Sequence, residues 1–178
     1  MKLVLWGLLL LFVDFSIYFG TSAVDCLPDF VGYILIAVGL SRVEQCAVYQ
    51  KAAFPTKIAA GYSAVVWVLN LAGLYGSFLS AVLSLVSMVV FLLVSYRITK
   101  GVRELEATYS YQMNGKSLMT AWIVVAVWAV LNELALWTGG DGLIIIGTLA
   151  GLAFDLYYLL QYNKSRKEFL ERLEWQEE

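Results

Sequence analysis

The chain has 178 residues, 61% of them hydrophobic and 15% charged, and its mean hydropathy is +0.75. Soluble domains run at roughly 25% charged and 45–50% apolar residues, so this composition excludes an ordinary water-soluble domain. Histidine is absent, which rules out a His-based metal site, an H-E-x-x-H protease, a Ser-His-Asp triad and a histidine proton relay. The net charge is −2 with no basic tract, which argues against a nucleic-acid partner.

A hydrocarbon core about 30 Å thick needs about 20 apolar residues per crossing helix. Such runs occur at 3–20, 22–40, 57–75, 77–96, 117–137 and 142–161. The predicted fold class is therefore all-α: a polytopic integral membrane protein with six transmembrane helices and the lipid bilayer as its first partner. The first, third and fifth spans meet the next through Gly20-Thr21, Gly76-Ser77 and Gly139-Gly140-Asp141. Glycine stops one helix, and Thr, Ser or Asp caps the next. The predicted layout is three helical hairpins joined by longer polar segments.

Lysine and arginine set the orientation of such a chain. Lys2 precedes the first span, and Arg42, Lys51 and Lys57 follow the second. Arg97, Lys100, Arg103 and Lys116 separate the fourth and fifth, and Lys164, Arg166, Lys167 and Arg172 follow the sixth. These are all 12 basic residues, and they fall on one side. Both termini are predicted to be cytoplasmic, in a cell membrane. The start admits a second reading. Lys2, the run Leu3–Val13 and Thr21-Ser22-Ala23 imitate a cleaved signal peptide, but Asp14 interrupts the stretch and a retained first helix is expected.

The polar segments at 42–56, 97–115 and 162–178 are expected to form interfacial helices. The last is an amphipathic cytoplasmic tail with Phe169, Leu170, Leu173 and Trp175 on one stripe. It either lies on the membrane or docks a partner subunit at the cytoplasmic face. Cys26 and Cys46 are expected on opposite membrane faces, too far apart for a disulfide, whose Cα atoms lie about 4.4–6.8 Å apart.

Asp14, Asn70 and Glu133 each stand six residues before a turn glycine, Gly20, Gly76 or Gly139. This places one polar group per hairpin at a common depth, roughly 9 Å inside the outer boundary at 1.5 Å per residue. Asp155 lies deeper in the sixth span. A central acid facing lipid costs about 2.5–3.5 kcal/mol, so Asp14, Glu133 and Asp155 are expected to face the bundle interior. Their neighbours agree: Gly147, Gly151 and Asp155 form one small-residue stripe, as do Ala126, Ala129 and Glu133. Because every basic residue is assigned to the cytoplasmic side, these acids are either protonated interhelical glue or sites for a cation.

Aromatic residues accompany them. Tyr18 is one turn from Asp14, Trp67 from Asn70 and Trp128 from Asn132, an arrangement that suits an organic ammonium through cation–π attraction. Trp6, Trp122 and Trp137 fall near span ends, as interface anchors do. At the start of span two, Asp25 and Asp29 are expected to share a helix face, with Ser22 as N-cap. Pro28 is expected to kink that helix and free the Val24 carbonyl. Such a start either exploits the helix dipole or forms a cation vestibule.

The segment Asp25-Cys-Leu-Pro-Asp-Phe-Val-Gly-Tyr-Ile-Leu-Ile-Ala-Val-Gly-Leu40 resembles a recurring segment of small multi-pass proteins of Gram-positive bacteria. The resemblance implies a bacterial inner membrane and carries no activity. In size and span count the chain is also similar to the substrate-binding subunits of energy-coupling-factor vitamin transporters. That likeness is one of fold alone, since their Ala-x-x-x-Ala pattern is absent from 3–20.

No enzyme is expected. The Gly-x-Gly-Asp motif of intramembrane aspartyl proteases and the spaced aspartates of CDP-alcohol phosphotransferases are missing. No cofactor is expected either. The function expected is binding or transport of a small cation or protonatable amine, with Asp14, Asn70 and Glu133 as an outer site and Asp155 deeper. The alternative is an accessory or regulatory subunit whose acids are structural.

Overall fold

A computed structural model describes residues 1–12, 16–19, 22–25, 28–44, 46–73, 77–138 and 141–177. Among these the chain forms six helices, α1 (Lys2–Phe12), α2 (Asp29–Ser41), α3 (Ala47–Leu71), α4 (Ser77–Tyr109), α5 (Gly115–Thr138) and α6 (Asp141–Glu177). Strands β1 (Ser16–Phe19) and β2 (Ser22–Asp25) pair antiparallel between α1 and α2. Among the described residues three helices are long and apolar enough to cross a membrane, within Ala47–Leu71, Phe78–Tyr109 and Gly115–Ala135. Only 11% of the most apolar stretch of α4 is buried, so most of that surface needs an apolar environment from outside the chain.

The first two expected spans differ from this. α1 has 11 residues and α2 has 13, about 16 and 20 Å at 1.5 Å per residue, less than a bilayer core. Between them the chain is extended, with Ser16 opposite Asp25 and Phe19 opposite Ser22. The reason is local. Hydropathy does not distinguish helix from strand, and Ile17, Tyr18, Phe19 and Val24 are β-branched or aromatic. Ser22 and Asp25 therefore lie on a strand, and Asp25 shares no helix face with Asp29. Pro28 is the N-cap residue of α2, just outside it, where its fixed φ is compatible with the helix start and no kink arises. The turn glycines Gly20, Gly76 and Gly139, from which the common depth of Asp14, Asn70 and Glu133 is counted, lie outside the described residues, as does Cys26.

The polar segments also differ. Residues 47–56 begin α3, 97–109 end α4 and 162–177 end α6, so these are continuations of long helices and not separate interfacial ones. No helix-stopping residue stands at the apolar–polar boundaries near Tyr96 and Tyr162.

The chain divides into two compact units, Met1–Val94 and Ser95–Glu178. In the first, α1 packs on α2 and α2 on α3. The approach of α1 to α2 depends on glycine. A Cβ at Gly7 would lie 2.5 Å from the Gly32 carbonyl oxygen, and one at Gly39 would lie 2.9 Å from the Val4 nitrogen. Gln50 donates to the Ser41 and Val43 carbonyls at 3.1 and 3.2 Å, satisfying groups at the end of α2 that helix geometry leaves open. Tyr62 donates to the Leu83 carbonyl at 2.9 Å, tying α3 to the first half of α4.

In the second unit α5 packs on α6, and the last turns of α4 complete a core that includes Ile98, Val102, Leu105, Leu118, Tyr162 and Phe169. The α4–α5 connection turns through Ser110 and Asn114, both at positive φ (48° and 60°). Glu106 holds it closed: its Oε1 accepts from the Met113 and Gly115 amides at 2.7 and 2.8 Å. Gly115 is required there, because a Cβ would strike the Glu106 carboxylate.

Candidate functional site

The sequence-derived residues divide between the two units. In the first, Asp14 lies outside the described residues. Tyr18 and Asp25 are placed as backbone on β1 and β2, where Tyr18 pairs with Ala23. Asp29 is exposed in the first turn of α2, where the positive end of the helix dipole favours a carboxylate. Trp67 is half-buried with its ring edge-on to Phe30, centroids 5.8 Å apart. Asn70, one turn later, is exposed near the end of α3.

The second unit gathers the rest along the α5–α6 seam. Trp128 donates its indole N–H to the Gly147 carbonyl at 3.0 Å and meets Phe154 edge-on, centroids 5.4 Å apart. Two glycines one turn apart make room for these contacts. A Cβ at Gly147 would lie 2.9 Å from Asn132 Oδ1, and one at Gly151 would lie 3.1 Å from Trp128 Nε1. Asn132 Oδ1 is buried with no hydrogen-bond partner among the described residues.

Both seam acids lie in apolar sequence. Glu133 is 9% exposed, and its Oε1 accepts from the Trp137 indole at 3.2 Å. Asp155 is half-buried on α6 and has no hydrogen bond or ion pair among the described residues. The pairings of Asn132 with Gly147 and Trp128 with Gly151 fix an antiparallel register that puts Asp155 level with Val124. Glu133 is then nine residues away along α5, roughly 13 Å at 1.5 Å per residue. The two carboxyls are separate stations along one seam.

The sequence reading missed a polar cluster one turn beyond Asp155. Tyr158 is fully buried. Its hydroxyl lies 3.0 Å from Thr99 Oγ1 and donates to the Ser95 carbonyl at 3.2 Å. Trp122 donates to Ser95 Oγ at 3.1 Å and meets the Tyr96 ring at a tilt of 55°. Tyr162 continues the stripe, its hydroxyl buried with no partner among the described residues. The signal was present: Gly147, Gly151, Asp155, Tyr158 and Tyr162 recur at helical spacing. Read to its end, that stripe would have included both tyrosines. Trp137, expected as an interface anchor, is the hydrogen-bond donor to Glu133.

Among the described residues no three Cys, Asp or Glu side chains gather as metal ligands. Compared with known proteins, the chain matches no family model, no curated protein and no solved structure.

Proposed function

We propose that this is a multi-pass membrane protein whose second unit binds a small cation or protonatable amine at Asp155, for transport or for sensing. The carrying observation is Asp155 itself: a half-buried carboxyl in apolar helix, without hydrogen bond or ion pair among the described residues. Such an acid is expensive in lipid and marks a pathway or site by default. No Lys or Arg occurs between Lys116 and Lys164, so a cation from outside the chain is the natural counter-charge.

The chain crosses the bilayer as three hairpins with both termini cytoplasmic. Two observations support this within the separate units: antiparallel packing of α1 on α2 brings the ends carrying Lys2 and Arg42 together, and that of α5 on α6 does the same for Lys116 and Lys164. In the first hairpin β1 and β2 continue the chain beyond the short helices. Pairing with each other satisfies only one edge of each strand, so the strands belong at the outer headgroup level and not in hydrocarbon.

A second reading, the accessory subunit, draws on the Trp137–Glu133 bond. It engages one seam acid within its own helix, as a structural role requires. Titration of the detergent-solubilised chain with alkali cations and alkylammonium ions separates the two. The binding reading expects saturable binding that Asp155→Asn abolishes; the accessory reading expects none.

A further inference from the structure

We infer that the cavity between the end of α4 and the start of α5 is a binding site for the phosphate of an anionic lipid headgroup. The inference rests on the membrane reading of α4 and α5 and is independent of any role for Asp155. The cavity has a volume of about 560 Å³, within the roughly 300–1,000 Å³ typical of ligand sites.

Its lining includes Arg103 and Lys116, with Ser110, Asn114 and Ser117 as neutral polar groups. Both cations are exposed, and neither has a hydrogen bond or ion pair among the described residues. The stem of Arg103 runs close to Gly115, where a Cβ would lie 3.0 Å from its Cγ. A guanidinium and an ammonium converging on one hollow, with hydroxyls beside them, match a phosphate's charge and its acceptor oxygens.

Glu106 lines the same cavity and is the one opposing charge there. Its Oε1 is taken by the Met113 and Gly115 amides, so that charge is directed to the start of α5, where the helix dipole offsets it. Tyr111, another lining residue, has the Arg172 guanidinium over its ring, 6.0 Å from the centroid. Arg103, Lys116 and Arg172 outnumber Glu106 and the neighbouring Glu168.

Depth supports a lipid source. The aromatic pair Tyr96 and Trp122, ring centroids 5.0 Å apart, marks where α4 and α5 leave the apolar region, as interfacial aromatics do. Arg103 is seven residues beyond Tyr96 and Lys116 six before Trp122, each roughly 10 Å further along its helix. That is the level of headgroup phosphates, and both basic residues stand on the side assigned to the cytoplasm.

The test is a titration of the full chain in neutral detergent micelles with short-chain phosphatidylglycerol, phosphatidylcholine and soluble glycerol 3-phosphate. Wild type should bind phosphatidylglycerol more tightly than phosphatidylcholine. The double variant Arg103→Gln, Lys116→Gln should weaken it roughly thirtyfold, a factor of about five for each cation near the surface. Arg42→Gln with Lys51→Gln, which removes two cations that do not line the cavity, should leave it unchanged, and Arg103→Lys should retain most of it. Equal losses in the two double variants, or no preference for phosphatidylglycerol, would overturn the site. Soluble glycerol 3-phosphate binding as tightly as the lipid would uphold the phosphate chemistry and overturn the lipid as its source. A chain that stays monomeric in buffer without detergent would remove the membrane reading and this inference together.

Discussion

The indole of Trp128 donates to the backbone carbonyl of Gly147, 3.0 Å away across the α5–α6 seam. That carbonyl belongs to a helix, so the bond needs a face on which no side chain intervenes, and the Gly147–Gly151 stripe provides one. The same stripe carries Asp155 one turn further along. Close helix packing and the buried acid are thus two consequences of one sequence pattern.

This pairing predicts an order of damage. Gly151→Leu should cost more stability than Asp155→Asn, because a large side chain must displace the Trp128 ring while the amide preserves shape. Over-packing of this kind costs about 1–3 kcal/mol. Trp128→Phe, which removes one hydrogen bond and part of a ring, should fall between them, with about 0.5–1.5 kcal/mol assigned to the bond. Thermal unfolding in detergent ranks the three. Equal tolerance of Gly151→Leu and Asp155→Asn would mean that this face looks at lipid.

The glycine contact of α1 with α2 gives a parallel case in the other unit. Gly7→Val should separate the helices, since its Cβ would lie 2.5 Å from the Gly32 carbonyl oxygen and 2.6 Å from Ile36 Cγ1. Backbone oxygen does not yield as a flexible side-chain end does. Ala81→Val, at a half-buried position on α4, is the control, and only the glycine variant should lower the melting midpoint.

Much of this architecture was legible in the sequence, and the failures share a cause. Apolar runs located α3, α4, α5 and the apolar part of α6, because length and hydropathy are what a membrane helix requires. The same runs could not show that Ser16–Phe19 and Ser22–Asp25 would pair as strands, since Ile17, Tyr18 and Val24 are as apolar in one conformation as in the other. Nor does hydropathy detect that a helix continues after it turns polar, as α4 does past Arg97. At the site, the small-residue stripe pointed to Asp155 as an inward-facing acid, and the structure leaves it half-buried. Asn70 was placed by its distance from a turn, a measure that takes no account of which face it occupies, and it is exposed.

Topology gives a third prediction. Reporters fused after Glu178, or inserted near Lys51 and Gly115, should read cytoplasmic, and a cysteine at Ser77 should be labelled by an impermeant reagent from outside. Protection of that cysteine in intact cells would overturn the three-hairpin arrangement.

A fourth concerns pH. Glu168, on the polar half of α6, has one carboxylate oxygen buried with no partner among the described residues. Burial raises its pKa above the ordinary 4.5; Lys164 opposes the rise, while Glu171 and Glu106 add to it. A folded-state pKa above the unfolded one means that this group favours the fold most at low pH. The contribution is lost as pH climbs from the ordinary glutamate value through the raised one. Glu168→Gln should flatten that decline and raise the melting midpoint at neutral pH. A variant less stable than wild type at neutral pH would show that the carboxylate is better compensated than its burial implies.

The proposed cation partner of Asp155 enters an otherwise apolar seam. Its binding is tested most directly by isothermal titration of the purified chain with a panel of alkali and alkylammonium ions, in wild type, Asp155→Asn and Glu133→Gln. The account predicts saturable binding of at least one ion by wild type and its loss in Asp155→Asn, with the variant folded and at least as stable, since a neutral amide removes the cost of an uncompensated acid. Full retention of binding in Asp155→Asn would contradict it.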